Sequence, residues 1–286
     1  MPANHLTPPS GHPSPEFRGG AGGEVVILFI GDIVGKPGRQ GVQALLPALR
    51  QELGADVVIA NVENIAHGKG MTKSTLDEVW SAGIDIGTGG NHTFSKPEAN
   101  ELLVDPKYNL VRPDNFGPSY PGQGIKTFRV GQKTVTVIDL LGQHGMPFEP
   151  VESPFKVMER WLKESHDPAD AVIVDLHAEA TSEKIAMGWY LDGKVSLVVG
   201  THTHVATADA HVLPKGTAYM TDLGMTGLRD SSLGVDKDMA IERFLSGQAV
   251  AFDIPEHGLV ALNAALVKIA DGKATSIERV YREIEV

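Results

Sequence analysis

The chain reads as an α/β fold in which two mixed β-sheets pack face to face, with helices outside. Two observations predict it. Short apolar runs rich in Val and Ile alternate with segments of helical spacing, as expected for strands joined by crossover helices. Two further pairs of strand-like runs are separated only by glycine turns, which adds antiparallel hairpins to an otherwise parallel arrangement.

The elements follow in order. Residues 1–23 are rich in Pro, Ser and Gly and bury too little apolar surface to offset their ordering entropy, so they read as a disordered tail. Residues 24–286 contain no linker or repeat and read as one domain. The first strand runs from Glu24 to Ile30. Gly38 to Leu53 has helical spacing at Val42, Leu45, Leu46, Leu49 and Leu53, with Pro47 an interior irregularity that can kink it. Strands follow at Asp56–Ala60 and Ile84–Thr88, with a Thr-capped helix at Thr72–Ala82 between them. Pro97–Leu103 and Pro154–Leu162 start with proline in the first turn, where its missing N–H does no harm. Gly124–Val130 and Thr134–Leu140 form a hairpin across Gly131-Gln132. Strands at Ala171–Val174 and Val195–Val199 flank a helix at Ser182–Leu191. Gly258–Ile269 and Thr275–Glu285 form the last hairpin, across Asp271-Gly272.

Composition narrows the chemistry. There is no cysteine among the 286 residues, which removes disulfides, thiolate catalysis and Cys-based metal sites. Any metal must sit among nitrogen and oxygen ligands. A net charge of −11 argues against an extended nucleic-acid surface, though not against a small anionic substrate. No apolar run reaches the roughly 20 residues of a membrane helix, and the start lacks the pattern of a secretory signal. The expected location is the cytoplasm. The oligomeric state stays open, a homo-oligomer included.

The strand ends carry the chemistry. Ile30 runs into Gly31-Asp32, Ala60 into Asn61-Val62-Glu63-Asn64, Thr88 into Gly89-Gly90-Asn91-His92, Val174 into Asp175-Leu176-His177, and Val199 into Gly200-Thr201-His202-Thr203-His204. Open α/β sheets gather ligands at the carboxyl ends of their strands. His202 and His204, spaced i, i+2 on extended backbone, point both imidazoles the same way. Singly, each of these residues reads as a cap, a turn residue or a satisfied histidine. Together they make a site.

These blocks resemble, in order, those of the calcineurin-like metallophosphoesterases. Phe29-Ile30-Gly31-Asp32-Ile33-Val34-Gly35, Asn61-Val62-Glu63-Asn64, Gly89-Gly90-Asn91-His92-Thr93-Phe94, the run Asp175 to Lys184 and Thr221-Asp222-Leu223-Gly224-Met225 resemble the bacterial YmdB family in particular. The resemblance extends from about Val25 to the C-terminus. It implies a four-layer α/β sandwich, a centre of two divalent ions (Fe or Mn, with Zn as an option) and hydrolysis of 2′,3′-cyclic nucleotides. The wider superfamily opens with Asp-x-His, whereas this chain has Asp32-Ile33-Val34, so one ion lacks an imidazole. The resemblance assigns Asp32, Glu63, Asn64 and His204 to the first ion, and Glu63, Asn91, His177 and His202 to the second. Glu63 bridges, in place of the more usual Asp, and Asn64 supplies a carbonyl oxygen.

The charges suit a phosphodiester. Two divalent ions, two carboxylates and a bridging hydroxide leave a formal charge of about +1, close to neutral once a monoanionic diester binds. The hydroxide attacks phosphorus in line, and His92, next to Asn91, is placed to protonate the leaving oxygen. His67, in His67-Gly68-Lys69-Gly70, and His144 are candidate substrate contacts. Gly35-Lys36-Pro37-Gly38 lacks the P-loop pattern, and Arg229 sits in a Gly-punctuated loop. A phosphomonoesterase or RNA-end nuclease fits the same centre. So does a regulatory cyclic-nucleotide or partner-binding protein with slow turnover, although a binder has no need of a general acid.

Overall fold

The computed structural model describes residues 23–147, 152–164, 169–249 and 252–286. The expected tail therefore lies, apart from Gly23, outside the described residues. β1 (Val25–Ile30) is flanked by parallel β3 (Val57–Asn61) and by antiparallel β12 (Leu259–Ala270), with Ile27 opposite Val57 and Val267. β4 (Ile86–Thr88) extends this sheet beyond β3. β13 (Lys273–Glu285) pairs with β12 along its whole length, and β11 (Met225–Leu228) joins β12 to the two-residue β2 (Asp32–Ile33).

The second sheet has the order β5–β6–β7–β8–β10–β9: Ile125–Val130, Lys133–Leu141, Ala171–His177, Leu197–Thr201, Ala218–Met220 and His211–Val212. Its four inner strands are parallel and its two edges antiparallel.

Side-chain alternation builds the layers. Val25, Ile27 and Phe29 of β1 pack between the sheets with Ile173, Leu197 and Val199. Val26, Leu28 and Ile30 point the other way, onto Val42, Leu46 and Leu49 of α1 (Gly35–Leu53) and Leu76 and Val79 of α2 (Lys73–Ser81). On the far side, Val172, Val174 and Leu176 pack against Val157 and Met158 of α4 (Pro154–Glu164) and Met187 and Leu191 of α5 (Thr181–Leu191). Four layers result. Strands buried on both faces need apolar residues at every position, which explains the unbroken runs in the sequence.

Both hairpins and the main crossover helices form as expected, with small changes at their ends. The Pro97–Leu103 helix shrinks to α3 (Ala99–Leu102). α1 continues through Pro47, whose position on the exposed side lets water meet the carbonyl left without a partner. α6 (Lys237–Ser246) has no counterpart among the expected elements, although Ile241, Phe244 and Leu245 have helical spacing; they stay exposed, and Ala240 is its only buried residue. Its signal lies in the caps, Asp236 accepting from Asp238 N and Met239 N, and Gly247 in the left-handed region at φ 68°. β2 and β9–β11 are too short for periodicity. Among the described residues no helix is long and apolar enough to cross a membrane.

Beneath the strand ends, Asp139 of β6 and Asp175 of β7 are buried neighbours in register. Burial and the adjacent carboxyl push Asp139 well above the usual carboxylate range, and burial raises Asp175 to about 7. Asp139 Oδ2 accepts from Gly89 N at 2.7 Å, but Oδ1 has no partner. Above a pH of about 3.9 the unfolded chain ionises these groups while the folded chain keeps the proton, so stability falls as pH rises through the folded-state values. Asp139→Asn keeps the acceptor for Gly89 and removes the charge. Its melting temperature is expected to exceed that of the parent by more at about pH 8 than at about pH 5, where only part of the loss has been incurred. Equal melting curves at both pH values would refute this account.

Candidate metal centre

The carboxyl ends of both sheets meet at one place. Asp32 follows β1, Glu63 and Asn64 follow β3, Asn91 and His92 follow β4, His177 ends β7, and His202 and His204 follow β8. The crossover connections force this, because every parallel strand delivers its C-terminal end to the same rim.

Glu63 stands in the middle. Its Oε1 lies 3.1 Å from His177 Nε2 and 3.3 Å from Asn64 Nδ2, and its Oε2 accepts from His92 N at 2.7 Å. His177 Nε2 also lies 3.0 Å from Asn91 Oδ1 and 3.1 Å from His202 Nδ1. Glu63, His177 and His202 have the mutual spacing to hold one metal ion. On the other side, Asp32 Oδ1 lies 3.3 Å from Asn64 Nδ2 and 3.7 Å from His204 Nε2. Asn64 Oδ1 faces His92 Nδ1 at 2.8 Å. The eight residues expected at the centre are thus brought together. His67 and His144 are not: both are exposed and make no described contact with the cluster, His144 riding on a loop whose amide donates to Glu183.

The outward nitrogen of each imidazole shows which atom faces inward. His204 Nδ1 donates to Leu233 O at 2.9 Å, leaving the lone pair on Nε2. His202 Nε2 lies 3.3 Å from Glu179 Oε2, an acceptor, which leaves the lone pair on Nδ1. Thr201 Oγ1 donates to Asp175 Oδ1 at 2.8 Å and accepts from His177 Nδ1 at 2.9 Å, so His177 keeps its lone pair on Nε2. Lone pairs and carboxylate oxygens therefore point at one another, an arrangement that repels unless a cation sits among them. Burial adds to this. It raises Glu63 and Asp32 above the usual carboxylate range, and it lowers His177 to about 4 and His202 to about 3, so both rings are neutral near pH 7, the form that a metal ion requires. Gly90 leaves the room: a Cβ there would collide with Glu63 Oε2 and His177 Nε2.

The histidine pair departs from expectation in one respect. β8 ends at Thr201, and His202 and His204 are not extended but have φ of 97° and 64°. Left-handed backbone in non-glycine residues is strained and has to be held. His202 N donates to Asp32 Oδ2 at 3.1 Å, and Thr203 N and Oγ1 donate to Asp222. Buried Lys184 donates to Asp222 at 2.6 Å and to Thr201 O at 2.8 Å, completing the clamp. Lys184 and Asp222 lie inside the family-like motifs, yet the sequence alone shows nothing of this pairing, which spans β8 from α5 to the loop before β11.

Two mixed sheets between helices, with acids, amides and imidazoles gathered at the strand ends, define the calcineurin-like metallophosphoesterase fold. NAD nucleotidase of Haemophilus influenzae shares the fold alone, with a TM-score of 0.55 at 14% identity over 92% of this chain and 51% of that one. Residues 28–280 match the YmdB-like protein family, and the chain belongs to it. It is 44% identical over 256 residues to 2′,3′-cyclic-nucleotide 2′-phosphodiesterase of Bacillus subtilis (strain 168), covering 89% of this chain and 96% of that one. A structure described as a novel phosphatase of Mycoplasma pneumoniae superposes with a TM-score of 0.84 at 34% identity, covering 92% and 95% of the two chains. A hypothetical protein of Thermus thermophilus gives 0.84 at 39% identity, covering 91% and 99%. The chain is a phosphoesterase.

Proposed function

We propose that residues 24–286 form one catalytic unit, a dinuclear-metal phosphodiesterase that hydrolyses 2′,3′-cyclic nucleotides. The observation that carries the metal is the meeting of His177 Nε2, Glu63 Oε1, Asn91 Oδ1 and His202 Nδ1, each imidazole having its other nitrogen tied elsewhere. The B. subtilis relative carries the substrate class.

Glu63, Asn91, His177 and His202 would hold one divalent ion, Asp32, Asn64 and His204 the other, with Glu63 shared between them. When bound, the ions, for which Fe or Mn is our assignment, supply Lewis acidity and a nucleophile from water at neutral pH. The chain's own residues do the rest. Asn64 serves as a ligand when its amide turns over, which brings Oδ1 to the place now held by Nδ2, beside Asp32, Glu63 and His204. The amide nitrogen then donates to His92 Nδ1, so the proton of that ring sits on Nε2. That neutral ring becomes a proton donor only once a proton enters at Nδ1 in place of the amide bond; burial lowers the pKa of the charged ring, which then releases its Nε2 proton to a leaving alkoxide more readily.

Purified, metal-analysed protein is expected to cleave 2′,3′-cyclic AMP much faster than 3′,5′-cyclic AMP or a phosphomonoester, and to stop on chelation. Faster turnover of the monoester would replace this reading with a phosphomonoesterase. Tight binding of the cyclic nucleotide without turnover would replace it with the regulatory binder.

A further inference from the structure

We infer that Glu179 is a specificity-determining residue: its carboxylate selects monoanionic phosphodiesters over dianionic monoesters. The inference rests on the diesterase reading above. Three candidate ligand imidazoles each donate one N–H to an acceptor, but the acceptors differ. His177 uses the Thr201 hydroxyl and His204 the Leu233 carbonyl, both neutral groups. Only His202 is tied directly to a carboxylate, with Nε2 3.3 Å from Glu179 Oε2.

A neutral group orients an imidazole well enough, so orientation alone does not require the charge. Its position points to a second role. Asp32, Glu63 and His177 are essentially inaccessible, whereas the side chains of His92, His202 and His204 are 28%, 18% and 15% exposed. Substrate therefore approaches over these rings. Glu179 lies on that side, with its side chain 54% exposed.

The side chain is placed, not loose. Its stem packs on Gly145, where a Cβ would come within 3.1 Å of Glu179 Cγ, and Glu179 N donates to Met146 Sδ at 3.2 Å. The loop carrying Gly145 is pinned in turn by Gln143 N and His144 N donating to Glu183. Among the described residues no lysine or arginine pairs with Glu179. A fixed, unneutralised carboxylate at the entry to an anion-binding site raises the energy of every anionic substrate, and of a dianion about twice as much as a monoanion.

Glu179→Gln keeps an oxygen acceptor for His202 and removes the charge; Glu179→Ala removes both. Bis(4-nitrophenyl) phosphate and 4-nitrophenyl phosphate share a leaving group and differ in charge, so their kcat/KM ratio reads selectivity. Mn²⁺ titration by calorimetry reads the site independently of turnover. Glu179→Gln is expected to keep Mn²⁺ affinity within about twofold and shift the ratio towards the monoester by about tenfold. Glu179→Ala should give the same shift and, in addition, bind Mn²⁺ about tenfold more weakly. An unchanged ratio in Glu179→Gln, with the parent still preferring the diester, overturns the inference and leaves the diesterase reading standing. Loss of Mn²⁺ from Glu179→Gln also overturns it, since the charge would then serve the metal. A parent protein that prefers the monoester removes the diesterase reading itself, and the inference with it.

Discussion

Glu63→Ala is expected to bind neither ion and to hydrolyse no substrate above background. Glu63 Oε1 is the one carboxylate oxygen that reaches both sides of the cluster, His177 at 3.1 Å and Asn64 at 3.3 Å. Removing it leaves one side with Asn91 and two imidazoles and the other with Asp32, Asn64 and His204, neither a competitive site for a divalent ion. The metal-free variant should not be less stable than the metal-free parent. Burial already makes the Glu63 carboxylate unfavourable, and alanine relieves that cost at the expense of a small void. Metal analysis and melting curves therefore separate a lost ligand from a lost fold. Two ions retained per chain would show that Glu63 does not bridge. Asn64→Ala, by contrast, should loosen chiefly the ion shared by Asp32 and His204.

His92→Ala should keep both ions and still bind substrate, yet turn over cyclic nucleotide roughly 10²–10⁴-fold more slowly, the usual worth of a positioned proton donor. The ring meets the cluster only through its hydrogen bond with Asn64 Oδ1 at 2.8 Å and a looser approach, 3.5 Å, to Glu63, and its side chain is more exposed than those of His202 and His204. A nitrophenyl phosphodiester, whose leaving group is stable as an anion, should lose far less. A ligand role for His92 predicts metal loss and equal damage to both substrates. A structural role predicts a lower melting temperature with no dependence on the leaving group. Equal slowing with both ions retained would rule out the proton-donor role.

Much of this molecule is legible in its sequence because strands buried on both faces spell themselves as continuous apolar runs, and because each run leads within three residues to its polar residue. Asp32, Glu63, Asn91 and His177 are found that way. What escapes is whatever depends on contacts between distant segments. Lys184 looks like a surface lysine on a helix until β8 brings Asp222 to it. Thr201 looks like a spacer in Gly-Thr-His until Asp175, one strand away, accepts a hydrogen bond from its hydroxyl and leaves the oxygen lone pair as an acceptor for His177. Glu179 stands within a family-like motif, but nothing in the order of residues says that it will face His202. Periodicity also fails for short elements, which is why β2 and β11 emerge only in three dimensions, and the spacing of Ile241, Phe244 and Leu245 in α6 is too brief to mark a helix by itself. The positive φ values of His202 and His204 belong with these misses: a strand-like run ending in Gly-Thr-His suggests continued extension, and only the Asp32 and Asp222 contacts bend it.

The acceptor for His204 has a different footing from the other two. Thr201 belongs to β8, inside a sheet, and Glu179 lies two residues past the end of β7, but Leu233 lies in the excursion between β11 and β12, at φ 56°, held locally by paired hydrogen bonds between Ser232 and Val235. That excursion carries α6 outward, and on its return Ile254 approaches Gly35 and Gly68. His204 is thus braced by a tether, while the other candidate ligands rest on the sheets. Amide exchange should report this as fast exchange through residues 230–249 alongside slow exchange in β7 and β8, and a protease that nicks the excursion should slacken His204 while His177 stays in place. In evolutionary terms, the tether behind His204 is the part that insertions can retune without disturbing the sheets.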